Sequence, residues 1–377
     1  MKYLSIRFLQ AIAVLSILAA SGYLYAEITT KANFSTLPPY FNIGLAGFDL
    51  LFVIAGFVVS QQFRNYHGGA DAARFLGNRF IRINLLFYIT SLLCYGLSLL
   101  QERIANGGIF FNQDEVIQRI IDTIILVPAT DAQFLYNPFL PITWALAFLW
   151  LSYLLYSVAI LISRKQKILL MAVFIAILNS LQYILQPVDL RLTFLWNPIL
   201  AEFLLGMILF RILDKLKHPQ AGLGYLMIAL SLAWLIALCW LSDPAIGHPG
   251  NILAGILSIK RLLYWGIPSG VLLMGVLLVE QAGHLKTIWQ QGLFQRLGRA
   301  SYPIFLAIGL MGPVMQLLET AVGSKLPVVV LVLMYVLIAI LLGFGIHQLA
   351  RRFAPKTSQT VKPVAYENSP TLIKTQA

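Results

Sequence analysis

The stretch that decides the fold is Gly44-Leu45-Ala46-Gly47-Phe48-Asp49-Leu50-Leu51-Phe52-Val53-Ile54-Ala55-Gly56-Phe57-Val58-Val59-Ser60-Gln61-Gln62. Asp49 is its only charged residue, and a run of this length and apolarity matches the roughly 20 residues needed to cross the hydrocarbon core of a bilayer. Similar runs recur on both sides of it. They lie at Phe8 to Ala26, Ile81 to Leu100, Pro141 to Ile162, Ile168 to Leu185, Phe194 to Leu213, Gly222 to Leu241, Arg261 to Glu280, Ser301 to Leu318 and Leu326 to His347. With the opening stretch they predict ten spanning helices, and hence an all-α polytopic membrane protein.

The composition agrees. Of 377 residues, 59% are hydrophobic and only 11% charged, and the mean hydropathy is +0.80, against about 25% charged in an ordinary soluble domain. Ten spans leave no room for a large soluble domain. The formal net charge of +12 would suit nucleic acid if the cations shared a face. Instead they sit in alternate short loops, so no nucleic-acid partner is expected and the lipid bilayer is the surrounding medium.

Twenty of the 27 lysines and arginines fall on one side of the ten spans, among them Arg64, Arg74, Arg79, Arg82, Lys165, Lys217, Arg299 and Arg351. The other side holds Lys31, Arg103, Arg119, Arg191, Lys260, Arg261 and Lys325. The positive-inside rule then puts both termini in the cytosol. The first run, preceded by Lys2 and Arg7, can also be read as a signal peptide with small residues at Ala19, Ala20 and Ser21, and its removal would leave the later spans oriented as before. The long outer loop from Gln101 to Leu140 contains an amphipathic stretch from Val116 to Val127 suited to the membrane interface. Residues 1–352 form the transmembrane domain, and 353–377 read as a disordered cytoplasmic tail. Cys94 and Cys239 both lie in apolar runs, which predicts neither a disulfide framework nor a zinc site.

Several blocks resemble one family in order and spacing. Ile6-Arg7-Phe8-Leu9-Gln10-Ala11-Ile12-Ala13 is similar to the opening helix of acyltransferase family 3, bacterial membrane O-acyltransferases of surface glycans and related acceptors. Gly47 to Phe57 looks like that family's second-helix signature, and Arg79-Phe80-Ile81-Arg82 like its RxxR. Trp144-Ala145-Leu146, Glu202-Phe203-Leu204-Leu205-Gly206 and Leu297-Gly298-Arg299-Ala300-Ser301-Tyr302 resemble later blocks. The resemblance implies a ten-helix fold in the bacterial inner membrane. It also implies transfer of a small acyl group, most often acetyl, from acyl-coenzyme A to a hydroxyl of a surface glycan or lipid-linked sugar, with no permanently bound cofactor.

The departures fall on chemical positions. The family's first helix carries an arginine and, eleven residues later, a histidine thought to be its base; here Gln10 and Ser21 stand there. Leu149 replaces a glutamate, Ile308 a histidine and Leu85 a proline. The family match thus leaves two readings open, an active enzyme or a non-catalytic member serving as scaffold or acyl conduit. An ordinary solute transporter would explain the spans but not the ordered blocks.

The candidate catalytic residues are Asp49, Glu202, Ser21 and Gln10. Asp49 and Glu202 are carboxylates inside spans, where a charge costs about 2.5–3.5 kcal/mol on insertion scales and so needs a partner or a wet cavity. Gln10 and Ser21 lie within roughly 20° of one helical face, about 16 Å apart. They read either as a polar tunnel lining or as ordinary interhelical hydrogen-bonding groups. Arg79 and Arg82, at i and i+3, are either a clamp for coenzyme A phosphates or cytoplasmic flanks.

Overall fold

The computed structural model describes residues 3–30, 39–108, 113–126, 139–185, 190–216, 218, 220–241, 244–247, 249–255, 257–322 and 326–353. The tail read as disordered lies outside these apart from Phe353, the last residue of the final helix. Asp131 of the long outer loop is outside them too.

Ten helices are long and apolar enough to cross a membrane: α1 (Ser5–Thr30), α2 (Gly44–Gln62), α3 (Gly69–Ile104), α4 (Thr143–Ile162), α5 (Lys167–Leu185), α6 (Leu192–Lys215), α7 (Ala221–Leu238), α8 (Ser258–Gln281), α9 (Ser301–Thr320) and α10 (Val328–Arg352). No strand occurs among the described residues. Number and order match the sequence expectation. The main difference is α3, which starts at Gly69 and not near Ile81. Its first eleven residues bury only Ala72, Phe75 and Arg79, one stripe at spacings of three and four, so the segment lacks the continuous apolarity that marks a span.

The bundle is built around α2, α8 and α6, the most enclosed helices, while α5, α7 and α10 are mostly exposed along their lengths. Exposed leucines and isoleucines on those outer helices, such as Leu169, Ile177, Leu230 and Leu337, belong against lipid, where apolar surface costs nothing. Two reciprocal glycines set the closest approach. A methyl on Gly56 would run into the carbonyl of Phe203, and one on Gly206 into that of Val53, so α2 and α6 meet backbone to backbone, as small residues allow. Gly47 likewise faces the carbonyl of Ala13, which draws α2 onto α1.

Contacts between helix ends define one end of the bundle. The Glu280 carboxylate accepts from the Leu4 N–H (2.7 Å) and the Ser5 N–H (3.2 Å) at the start of α1. Lys167 Nζ donates to the carbonyls of Phe63 (2.9 Å) and Arg64 (2.8 Å), and Arg64 pairs with Asp214 at 2.9 Å. The basic loops therefore share one end. Toward the other end a helix at Gln113–Ile125 turns Ile117, Ile120, Ile121 and Ile124 outward and buries Asp122 and Thr123. It has the amphipathic form expected of an interfacial segment. Its Thr123 hydroxyl accepts from the Phe139 N–H at 3.3 Å, and its Ile124 carbonyl from the Tyr88 hydroxyl at 3.1 Å.

Candidate functional site

Asp49 of α2 meets Arg261 of α8 inside the bundle. Arg261 Nε donates to Oδ1 at 2.9 Å and Nη2 to Oδ2 at 2.6 Å, while Nη1 donates to the Ile246 carbonyl at 3.3 Å. The two side chains are 0% and 1% exposed. The guanidinium lies 4.8 Å from the Trp265 ring centroid and 5.9 Å from that of Trp144, so aromatic faces supply what water would otherwise provide. This corrects the expectation that placed Arg261 among the loop cations. Its role could have been found by asking which cation answers the carboxylate inside α2, since a buried charge needs a partner.

Glu202 of α6 lies beside this clamp. It is fully buried against Asp49, the two side chains within hydrogen-bonding reach of each other, and no N–H or hydroxyl donor among the described residues reaches either carboxylate oxygen. The backbone makes the space. A five-residue π turn, Leu262–Gly266, follows Arg261 directly, and at its end the bare Gly266 faces Glu202. A Cβ there would come within 3.0 Å of Glu202 Cγ. π turns inside α-helices occur frequently at functional sites. Two carboxylates thus share one guanidinium, and only one of them is gripped.

The second cluster is at the basic-loop end. Arg79 is 9% exposed, with its guanidinium 4.9 Å from the Phe63 ring, 5.2 Å from Tyr153 and 5.7 Å from Phe75. Nη2 donates to Gln62 Oε1 at 3.4 Å, and Nε has no partner among the described residues. A π turn follows here as well, Phe80–Asn84, and the Tyr302 hydroxyl donates to its Ile83 carbonyl at 2.7 Å. Arg82, inside that turn, is exposed. The two arginines therefore do not present one shared face: Arg79 points into an aromatic cage and Arg82 to the surface.

Gln10 and Ser21 on α1 are each half-buried. Between them Val14, Ile17 and Leu18 are fully enclosed, so that stretch of the stripe is packed with apolar side chains. Ser21 faces the Tyr335 hydroxyl of α10, which donates to the Ile308 carbonyl at 3.4 Å, and the Tyr335 ring lies against Gly22. Two positions where the sequence departs from the family blocks, Ser21 and Ile308, so converge on one tyrosine that the sequence reading did not single out. Leu85, a third departure, is exposed on the outer surface of α3.

Comparison with known proteins adds the identity of the scaffold. Residues 3–348 match the family profile described as the acyltransferase domain of acyltransferase family 3. The exopolysaccharide production protein ExoZ of Rhizobium meliloti (strain 1021) is 26% identical over 274 residues, covering 71% of this chain and 76% of that protein. No solved structure matches. With a match running over nearly its whole length, the chain belongs to acyltransferase family 3.

Proposed function

We propose that this protein is a membrane O-acyltransferase that moves a small acyl group, most often acetyl, from acyl-coenzyme A to a hydroxyl of a surface glycan or lipid-linked sugar. In this reading the end gathering the basic loops faces the bacterial cytosol, both termini are cytosolic, and the donor enters there, at Arg79. The exopolysaccharide role in the name of the relative supports a polysaccharide acceptor.

The observation that carries the reading is the unequal treatment of the two carboxylates. Arg261 holds Asp49 by two charge-assisted bonds, which fixes it as an anchor. Glu202 stands against it with no N–H or hydroxyl donor among the described residues on either oxygen, facing the Asp49 carboxylate, and in this reading it is the group that takes the proton. In the reaction the acceptor hydroxyl oxygen bonds to the acyl carbon and the carbon–sulfur bond breaks. The hydroxyl proton passes to Glu202 and then to the departing thiolate, so coenzyme A leaves as the thiol. A positioned base of this kind contributes about 10²–10⁴ in rate, or roughly 3–5 kcal/mol of barrier. Ester content of the surface glycan tests the reading: deletion of the gene removes one ester type and the wild-type gene restores it, whereas an unchanged glycan contradicts it.

A second reading rests on Ser21. Where the family has its first-helix histidine, this chain has a hydroxyl facing Tyr335 above a packed apolar stripe, which favours a non-catalytic scaffold or acyl conduit. It requires the same ester to depend on another enzyme.

A further inference from the structure

Helix α5 is mostly exposed along its length, yet its second half is not uniformly apolar. Ala176, Asn179, Ser180, Tyr183 and Ile184, at the three- and four-residue spacings of one helical face, line an open cleft of about 480 Å³. Tyr183 is 67% and Ile184 75% exposed, so this face meets lipid. Asn179 is half-buried, and its Oδ1 has no hydrogen-bond partner among the described residues. An unpaired amide within a membrane span is costly, so the cleft calls for an occupant that brings hydrogen-bonding groups with it.

The cleft is level with the carboxylate site. Lys167 donates to the Arg64 carbonyl and Arg64 pairs with Asp214, so Lys167 of α5 and Asp214 of α6 mark one common end. Asn179 lies twelve residues beyond Lys167, and Glu202 twelve residues before Asp214. At 1.5 Å per residue both stand about 18 Å from that end, on helices that pack against each other. Gln182, three residues past Asn179, also carries an unpaired buried Oε1, and its amide nitrogen fills the space that a side chain on Gly255 would need. The chain leading to Gly255 reaches the clamp: Asn197 of α6 donates to the Ile252 carbonyl and Arg261 to that of Ile246.

The lining identifies the occupant. It offers an amide, two hydroxyls and an aromatic ring, with no cation among the described residues, which suits neutral hydroxyl groups and gives a bare phosphate nothing to hold it. The volume falls within the roughly 300–1,000 Å³ of small-molecule sites. Because the face opens to lipid, whatever fills it arrives within the membrane. We propose, on the reading that the protein acylates a sugar hydroxyl, that this cleft is where the acceptor docks, and that the acceptor is a lipid-linked sugar and not the finished polysaccharide. It enters sideways from the leaflet away from the basic loops. Asn179 and Ser180 hydrogen-bond the sugar hydroxyls, Tyr183 covers an apolar face of the ring near the interface, where aromatic side chains settle, and the lipid chain stays in the surrounding hydrocarbon.

The test uses the full chain in lipid nanodiscs with a photoreactive polyprenyl-phosphate-linked glucose, comparing wild type with Asn179→Leu and Ser180→Ala. Label should fall on α5 between Ala176 and Ile184. Unlabelled polyprenyl-phosphate-linked glucose should compete for it, whereas polyprenyl phosphate, phosphatidylglycerol and a soluble glucan oligosaccharide should not. Each substitution should weaken binding by about three- to tenfold, the worth of one hydrogen bond, without lowering the thermal midpoint of the unliganded protein. The inference is overturned if α5 is not labelled, or if lost binding only follows a lowered midpoint. Equal competition by the sugar-free lipids would make the cleft an ordinary lipid contact, and equal competition by the oligosaccharide would open it to finished glycan; either result overturns it. So does cross-linking of two copies through Ser180→Cys, which would make this face a homodimer seam. If the sugar lipid docks as described while the glycan ester is independent of the gene, the docking site stands and the acyltransfer reading fails; a gene-dependent ester with no label on α5 means the opposite.

Discussion

Arg261 closes on Asp49 with two hydrogen bonds of 2.9 and 2.6 Å in a place sealed from solvent. The pair joins α8 to α2 and sets the wall against which Glu202 stands. Removing one partner leaves the other charge buried and uncompensated, which typically costs about 3–5 kcal/mol. Arg261→Gln or Asp49→Asn should therefore lower the thermal midpoint of the purified protein sharply. Replacing both with apolar residues of similar size should recover much of the loss. Single variants as stable as the wild type would mean that the clamp carries little of the packing.

The two arginines of the RxxR block should separate in their effects. Arg79 is enclosed among Phe63, Phe75 and Tyr153 and Arg82 is exposed. Arg79→Gln should weaken acyl-coenzyme A binding by about 1.5–3 kcal/mol, the worth of a charge-assisted bond, and Arg82→Gln by much less. Titration of each variant with the donor checks this, and equal losses would restore the shared clamp.

Gln10→Arg combined with Ser21→His places the family's first-helix pair on this scaffold beside Tyr335. If the carboxylate site is a substitute for that histidine, the double variant should raise thioester hydrolysis or transfer, toward the 10²–10⁴ that a positioned base supplies. Tyr335→Phe in the same background should reduce the gain, because the tyrosine hydroxyl is the group facing position 21. A turnover assay with acetyl-coenzyme A reads both. A fully active wild type insensitive to every change at Gln10 and Ser21 would remove this helix from the chemistry.

Much of the fold was legible because lipid simplifies the code. A span facing hydrocarbon must be apolar throughout, so hydropathy alone located all ten helices. The start of α3 was not legible, since its buried face is the narrow stripe of Ala72, Phe75 and Arg79. Arg261 was hidden by the positive-inside rule itself, which treats every cation at a span end as a flank. Tyr335 was hidden for a different reason: its partners, Ser21 and the Ile308 carbonyl, lie on other helices, and nothing local announces them. The π turns after Arg79 and Arg261 likewise have no composition signal, yet they rotate the side chains that matter.

Orientation has its own test. Reporter fusions at Gly68, in the Lys165 loop and after Arg352 should report from the cytosol, and a fusion near Asp114 from the opposite side. A periplasmic signal from the C-terminal fusion would overturn the proposed sidedness and, with it, entry of the donor at Arg79.

The central claim is that Glu202, and not the clamped Asp49, accepts the proton during acyl transfer. It is tested most directly by single-turnover transfer of acetyl from acetyl-coenzyme A to the glycan acceptor, comparing wild type with Glu202→Gln in preparations of matched stability and donor affinity. The account predicts a rate lower by about 10²–10⁴ for Glu202→Gln with donor binding intact. A Glu202→Gln protein that transfers acetyl at the wild-type rate would contradict it.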